Sequence, residues 1–282
     1  MIALERAGLE VEQGHAESSL NQFEISVAPL PAVAAADSLI CAKEIIKEVA
    51  TAHGFAALFL PKPFHSLLPT GLHFHLSIHH PSGDPEAIPL RDYVSSQTRE
   101  KHSISKDVSH NFLAGILHRL SPIMAFSTPS DNSYLRLATE DVMGKYICWG
   151  RNNSSVPLNE ISVGYWEIRS LDWTANIHLA MAAYISAGLL GIKEHQQLQC
   201  QDSGTLTYQL EPSARESLGI VDLLPQDFEQ ANLSLISRRY AGLQHYINEE
   251  LIDLYVLVKE KERQYLSNLT DDDKLSLLFQ HF

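Results

Sequence analysis

Three short stretches carry residue types that could do chemistry together. His73, His75 and Ser77 alternate with Leu72, Phe74, Leu76 and Ile78; Glu24 sits in Gln22-Phe23-Glu24-Ile25-Ser26-Val27; Glu167 and Arg169 alternate with Trp166 and Ile168. Successive side chains of a strand point to opposite faces, so each stretch would turn its polar residues to one side and its apolar residues to a core. Carboxylates with imidazole are the donors that hard or borderline divalent cations take, and an arginine beside them suits an anionic substrate. Glu12 and Glu17 bring further carboxylates just ahead of Glu24, a crowding that a bound cation would relieve. Read singly, these residues also admit plain roles. Glu10 is an ordinary solvated acid, most of the 14 histidines must be unremarkable, and Glu167 with Arg169 could equally form a cross-strand ion pair.

The elements that must position these residues can be read from periodicity. Gly8 to Glu12 looks like the start of an interior strand. From Val33 to His53, Ala36, Leu39, Ile40, Ile46 and Val49 recur at helical spacing before Gly54. Phe55 to Leu60 is a short apolar run bounded by Pro61-Lys62-Pro63, which predicts a buried strand, and Pro81 to Pro85 predicts a turn. Helices are expected over Ser105–Leu120, Thr174–Leu190 closed by Gly191, Gln226–Ile236, Leu243–Leu266 and Asp271–Gln280 with Thr270 as N-cap. Between them Ser127–Asn132 reads as loop and Tyr146-Ile147-Cys148-Trp149 as a strand.

Composition narrows the function classes. A chain of 282 residues with 45% hydrophobic content can bury a sizeable core. Its formal charge of -13 disfavours general nucleic-acid binding and anionic membrane surfaces. Cys41, Cys148 and Cys200 lack the spacing of a zinc site or a disulfide framework, which fits a reducing, cytoplasmic setting. No apolar run approaches the roughly 20 residues that span a bilayer, and no basic segment leads into an apolar signal core.

Taken in order, the motifs say more than any one of them. Val11-Glu12-x-x-His15-x-Glu17, Asn21-Gln22-Phe23-Glu24, Leu60-Pro61-Lys62-Pro63, Gly71 to Ser77, Asn132 to Leu137, Trp149-Gly150-x-x-Asn153 and Glu167-Ile168-Arg169-x-x-Asp172-x-x-Ala175-Asn176 resemble the glutamine synthetase catalytic domain. The resemblance covers residues 1–282 as one domain, and Leu224-Pro225 and Val258-Lys259 near Glu262 look like its C-terminal end. Asn21 to Glu24 and Tyr146 to Gly150 look closer to the divergent glutamine-synthetase-like and γ-glutamyl-amine ligase branches. The resemblance implies an α+β fold, with a curved, mainly antiparallel half-barrel sheet flanked by helices and a helical C-terminal third. It implies a ligase that uses ATP with Mg2+ or Mn2+ to join glutamate or a related acid to ammonia or an amine through an acyl phosphate. By motif position Glu17 and Glu24 would hold one cation, and His73 and Glu167 the other. Glu12, His75 and Ser77 would face nucleotide and substrate, while Arg136 and Arg169 would bind the amino-acid carboxylate and phosphate.

The sequence also departs from that pattern. Ser154 and Asn159 stand where two phosphate-binding arginines are expected, Ser66 to Thr70 replaces a glycine-rich asparagine loop, and the acidic flap position falls at Val142 beside Glu140 and Asp141. The family's N-terminal β-grasp domain and one metal-ligand strand are expected to precede Met1, and in the family the former completes a neighbouring subunit's site. Ring assembly of a homo-oligomer would depend on it. A second reading is therefore a non-catalytic descendant that keeps the fold and acts through protein contacts; a third, a metal-binding scaffold with no nucleotide role, leaves Arg136 and Arg169 without a task.

Overall fold

The computed structural model describes residues 1–64, 66–79, 104–138 and 143–281. Helix α1 (Ile2–Arg6) leads into the antiparallel hairpin β1 (Val11–Ala16) and β2 (Phe23–Val27), which among the described residues forms a two-stranded sheet of its own. Next comes α2 (Ala32–Ala52), entered from Pro31 and left through Gly54 at φ +78°, a left-handed turn that glycine makes without steric cost. The second sheet starts with β3 (Leu72–Ser77), followed by α3 (Lys106–His118), α4 (Leu120–Ser127) and α5 (Asp131–Leu137). It is completed by β4 (Trp149–Arg151), β5 (Leu158–Ser162) and β6 (Tyr165–Leu171). Helices α6 (Ile177–Lys193), α7 (Pro212–Ser217), α8 (Phe228–Ser237), α9 (Glu249–Ser267) and α10 (Asp271–His281) follow. Antiparallel sheet strands flanked by helices, with a helical final third, match the expected α+β architecture.

The four-stranded sheet runs in the order β3-β6-β5-β4, with β3/β6 and β6/β5 antiparallel and β5/β4 parallel. Its apolar face carries Leu158, Trp166 and Ile168, all buried, and Phe112 of α3 stacks on Trp166 with ring centroids 5.0 Å apart. Behind this face α3 and α6 cross at a pair of glycines. A Cβ on Gly115 would lie 2.2 Å from the Ala187 carbonyl oxygen, and one on Gly191 would lie 2.1 Å from the Asn111 carbonyl oxygen. Side chains at these positions would hold the helices apart, so the close backbone approach requires glycine.

Several expectations shift for local reasons. The helix read over Ser105–Leu120 divides at Arg119, because Pro122 has no N–H and its ring would clash with the His118 carbonyl of a continuous helix. Ser127–Asn132 is shorter as a loop than expected, since Ser130 accepts from Ser133 N–H at 3.2 Å and caps α5. Phe55–Leu60 is not a strand; Phe55 is exposed, and beyond the run the chain is pinned by Lys62 N–H to Asn132 Oδ1 and by Asn132 Nδ2 to the Lys62 carbonyl. Its apolar run had no period to distinguish strand from irregular chain. Tyr146 makes one bridge to Leu223, and the ladder begins only at Trp149. Gly191 lies within α6 instead of ending it, because the contact with Gly115 needs it there. The stretch from Leu243 becomes α-helical only at Glu249, N-capped by Asn248, after left-handed residues at Tyr240, Ala241 and Gly242. Asp273 N–H does bond Thr270 Oγ1 at 3.2 Å. The Pro81–Pro85 turn and Glu140–Val142 lie outside the described residues.

Candidate functional site

The polar face of the four-stranded sheet converges on Glu167. In the β3/β6 register His75 stands opposite Glu167, and in the β5/β6 register Asn159 does. Glu167 is only 7% exposed, so its carboxylate needs partners from the chain. Oε2 accepts from Asn159 Nδ2 at 2.9 Å, while Oε1 accepts from Arg169 Nη1 and faces His73 Nδ1 at 3.2 Å. Asn159 cannot flip without loss, because its Oδ1 accepts the Asn153 N–H at 2.8 Å. Asn153 is tied in turn to the Ser203 and Thr205 carbonyls through Nδ2.

The pairing shifts register between Leu72 and Phe74, so Arg169 and Ser170 of β6 together lie across from His73. Such a bulge re-aims side chains locally. Burial first, then the charges of Arg169, Arg136 and the neighbouring His75, push the His73 pKa down to about 2. The imidazole is therefore neutral, its Nδ1–H donating to Glu167 and its lone pair on Nε2. A Cβ on Gly71 would come 2.8 Å from that Nε2, so the ring folds back over Gly71 and a side chain there would displace it. His75 is exposed and its Nδ1 lies 2.8 Å from Tyr165 Oη. Ser77, in register with Tyr165, is partly buried at the end of the same row.

Arg136 stands behind this face. It is completely buried, with Nη1 donating to the Leu171 carbonyl at 2.9 Å and Nη2 to the Arg169 carbonyl at 3.1 Å. Burial lowers its pKa to about 10 against the opposing effect of buried Asp172. The two bonded carbonyls straddle the bulge, so Arg136 braces the backbone that carries Arg169.

Glu12, Glu17 and Glu24 are exposed on the separate hairpin, where His15 pairs with Glu24 and Ser18 Oγ donates to Glu17 Oε2 at 3.3 Å. The hairpin tip is clasped to the loop before β3. Ser19 Oγ accepts the Leu68 N–H at 2.8 Å, and Gln22 Nε2 donates to the Pro69 carbonyl at 3.0 Å. The structure thus gathers His73, His75, Glu167 and Arg169 on one face and places the other acids on a hairpin tied to the loop before β3. Among the described residues no group of three or more His, Cys, Asp or Glu side chains converges to hold a metal ion. The donor types, carboxylates and a neutral imidazole, nevertheless suit a hard divalent cation with water completing its shell. Tyr165 and the Asn159–Glu167 bond were not read as site features from sequence; the strand register is what exposes them.

The chain matches the family described as glutamine synthetase, catalytic domain, over residues 1–277. It is 33% identical over 276 residues to protein fluG of Emericella nidulans, covering 98% of this chain and 29% of that protein. It is 30% identical over 292 residues to type-1 glutamine synthetase 1 of Dictyostelium discoideum, covering 99% of this chain and 54% of that protein. Among solved structures, one described as a novel glutamine synthase homolog superimposes with a TM-score of 0.75 at 27% identity over 100% of this chain and 62% of its own. Another, described as apo GmaS without ligand, gives 0.73 at 27% identity over 95% of this chain and 59% of its own. The chain therefore spans less than two thirds of the length of each of these proteins. No described helix is long and apolar enough to cross a membrane. With the ordered motifs, the sheet they build and a match over nearly the whole length, the chain belongs to the glutamine synthetase catalytic-domain family.

Proposed function

We propose that this chain forms the catalytic part of an ATP-dependent carboxylate–amine ligase that makes a γ-glutamyl amide through an acyl phosphate. The observation that supports the reading is the convergence of His73 and Arg169 on the buried Glu167 carboxylate, three residues the family resemblance marks. Arg169 would hold the acid substrate's carboxylate, its guanidinium oriented by Glu167 and its backbone braced by Arg136. His75, Ser77 and Glu12 would border nucleotide and substrate. Glu17 with Glu24, and His73 with Glu167, would hold Mg2+ or Mn2+, whose chemistry is to neutralise charge on the transferring phosphoryl group. Glutamate or a related acid, ATP, and ammonia or an amine are the reactants. The expected setting is the cytoplasm, and a homo-oligomer would depend on parts beyond this domain.

A second reading, a non-catalytic family member acting through protein contacts, draws support from one observation. Both oxygens of Glu167 are engaged by the chain's own donors, one of them the neutral Asn159. Amine-dependent phosphate release from ATP, measured with glutamate and a panel of amines in magnesium and in manganese, separates the readings. Release lost in Glu17→Gln supports the ligase; no release above that variant overturns it for this chain.

A further inference from the structure

His73 and His75 share one row of β3, yet the strand beside them holds the two rings by different partners. His73 Nδ1 faces Glu167 Oε1 at 3.2 Å, and that oxygen also accepts from Arg169. A carboxylate only accepts, so the His73 ring carries its proton on Nδ1. His75 Nδ1 instead meets Tyr165 Oη at 2.8 Å, with the ring centroids 5.7 Å apart and the planes inclined at 45°. A phenol donates more strongly than it accepts, and an unprotonated imidazole nitrogen is the better acceptor. The hydroxyl therefore donates to Nδ1, and the proton of the neutral His75 ring sits on Nε2. A charged ring would carry a proton on Nε2 as well, with only the hydroxyl reversing its role. Among the described residues that Nε2 has no hydrogen-bond partner.

Tyr165 is placed for this contact by a turn with little freedom. It opens β6 after the two-residue connection of Val163 and Gly164, in register with Ser162 on one side and Ser77 on the other. Gly164 stands at φ +78°; its N–H donates to Ser109 Oγ of α3 at 2.9 Å, and its carbonyl takes the Ile78 N–H at 2.9 Å. A left-handed glycine bonded on both sides fixes the Cα that follows it. From there the tyrosine reaches diagonally across the β3/β6 ladder, two residues from Glu167, the direct partner of His75. Tyr165 is half-buried and His75 exposed, so the hydroxyl restrains a ring that solvent alone would leave free to change rotamer.

We propose that Tyr165 is a positioning residue for His75, its hydroxyl holding the imidazole with Nε2–H turned outward as a donor to an anionic oxygen of the nucleotide. The role rests on the ligase reading above. It divides the row by chemistry: Glu167 sets His73 as a ring suited to a cation, and Tyr165 sets His75 as a ring suited to an anion. The opposite His75 tautomer would turn a lone pair toward that oxygen and repel it.

Nitrogen NMR of the labelled chain without ligand, at about pH 8.5 where an ordinary imidazole is neutral, reads both rings directly, with His75→Ala to assign the signals. The proton should sit on Nε2 of His75 and on Nδ1 of His73. Tyr165→Phe, which removes one oxygen and keeps the ring, should move the His75 Nδ1 resonance to that of an unbonded nitrogen and leave the His73 tautomer unchanged. In phosphate release, Tyr165→Phe should raise KM for ATP about fivefold with kcat held within about twofold. The same substitution made in a His75→Ala background should raise KM no further, since it acts through His75. A proton on His75 Nδ1 in the wild type, a Nδ1 resonance unmoved in Tyr165→Phe, an unchanged KM, or an equal rise in the His75→Ala background would overturn the proposal. A wild type that releases no phosphate sinks the ligase reading instead, and the NMR signals then decide by themselves whether Tyr165 holds His75.

Discussion

Replacing Asn159 by alanine should cost about 2–5 kcal/mol of stability, and the figure follows from two bonds. The Nδ2 contact to Glu167 Oε2 at 2.9 Å is a hydrogen bond to a carboxylate, worth about 1.5–3 kcal/mol. Loss of Oδ1 also orphans the Asn153 N–H, a penalty of about 1–3 kcal/mol that an entering water would reduce. Asn153, Asn159 and Glu167 are each less than 10% exposed, so little solvent is at hand to repair the damage. The assay is chemical denaturation followed by the fluorescence of Trp149 and Trp166, which lie on the strands concerned. A double-mutant cycle with Glu167→Ala isolates the pair. The Asn153 orphan occurs in both Asn159 arms and cancels, as do the partners stranded by removing Glu167. A coupling of about 1.5–3 kcal/mol should remain. A coupling below about 0.5 kcal/mol would refute the claim that Asn159 holds the carboxylate.

Other outcomes follow from geometry. Gly115→Ala must push α6 away from α3, because its Cβ would sit 2.2 Å from the Ala187 carbonyl oxygen; a loss of about 3 kcal/mol in urea unfolding is expected. Gly204→Ala, with open space around its Cβ, is the control and should change stability by less than about 0.5 kcal/mol. Gly71→Ala should leave the fold intact yet displace the His73 ring, seen as a shift of its imidazole NMR signals while those of exposed His53 stay put. Of the thiols, exposed Cys41 should react with a thiol reagent in the native protein, whereas burial raises the pKa of Cys148 and Cys200 and should protect both until the chain is unfolded. Native labelling of all three would contradict the packing.

Alternation was the strongest signal in the sequence because it survives without knowledge of partners. The row His73, His75, Ser77 and the pair Glu167, Arg169 fall on strands as expected, and β3 and β6 pair directly. What alternation cannot supply is register, and register decides that Glu167 meets Asn159 and His75. It also cannot separate one sheet from two, so Glu24 looked equivalent to His73 although its strand belongs to a separate hairpin. Arg136 illustrates a different limit. Its motif position says nothing of depth, and the structure places its guanidinium on the Arg169 and Leu171 carbonyls with no exposed surface. Helix ends were legible where a cap or proline acts locally, as at Thr270, and misplaced where a remote contact decides, as at Gly191.

The clasp between the hairpin and the loop before β3 has a thermodynamic consequence. A two-stranded sheet is marginal by itself, so β1 and β2 can part from the body at less than the cost of global unfolding, with Ser19 and Gln22 setting much of the difference. Any ligand gripped by Glu17 or Glu24 would then be bound only by the closed fraction, and its measured affinity would be the intrinsic one scaled by that fraction. Ser19 and Gln22, which bear no charge and touch no ligand, would then tune that affinity through the clasp alone. Amide exchange along β1 would report the same equilibrium with no ligand added.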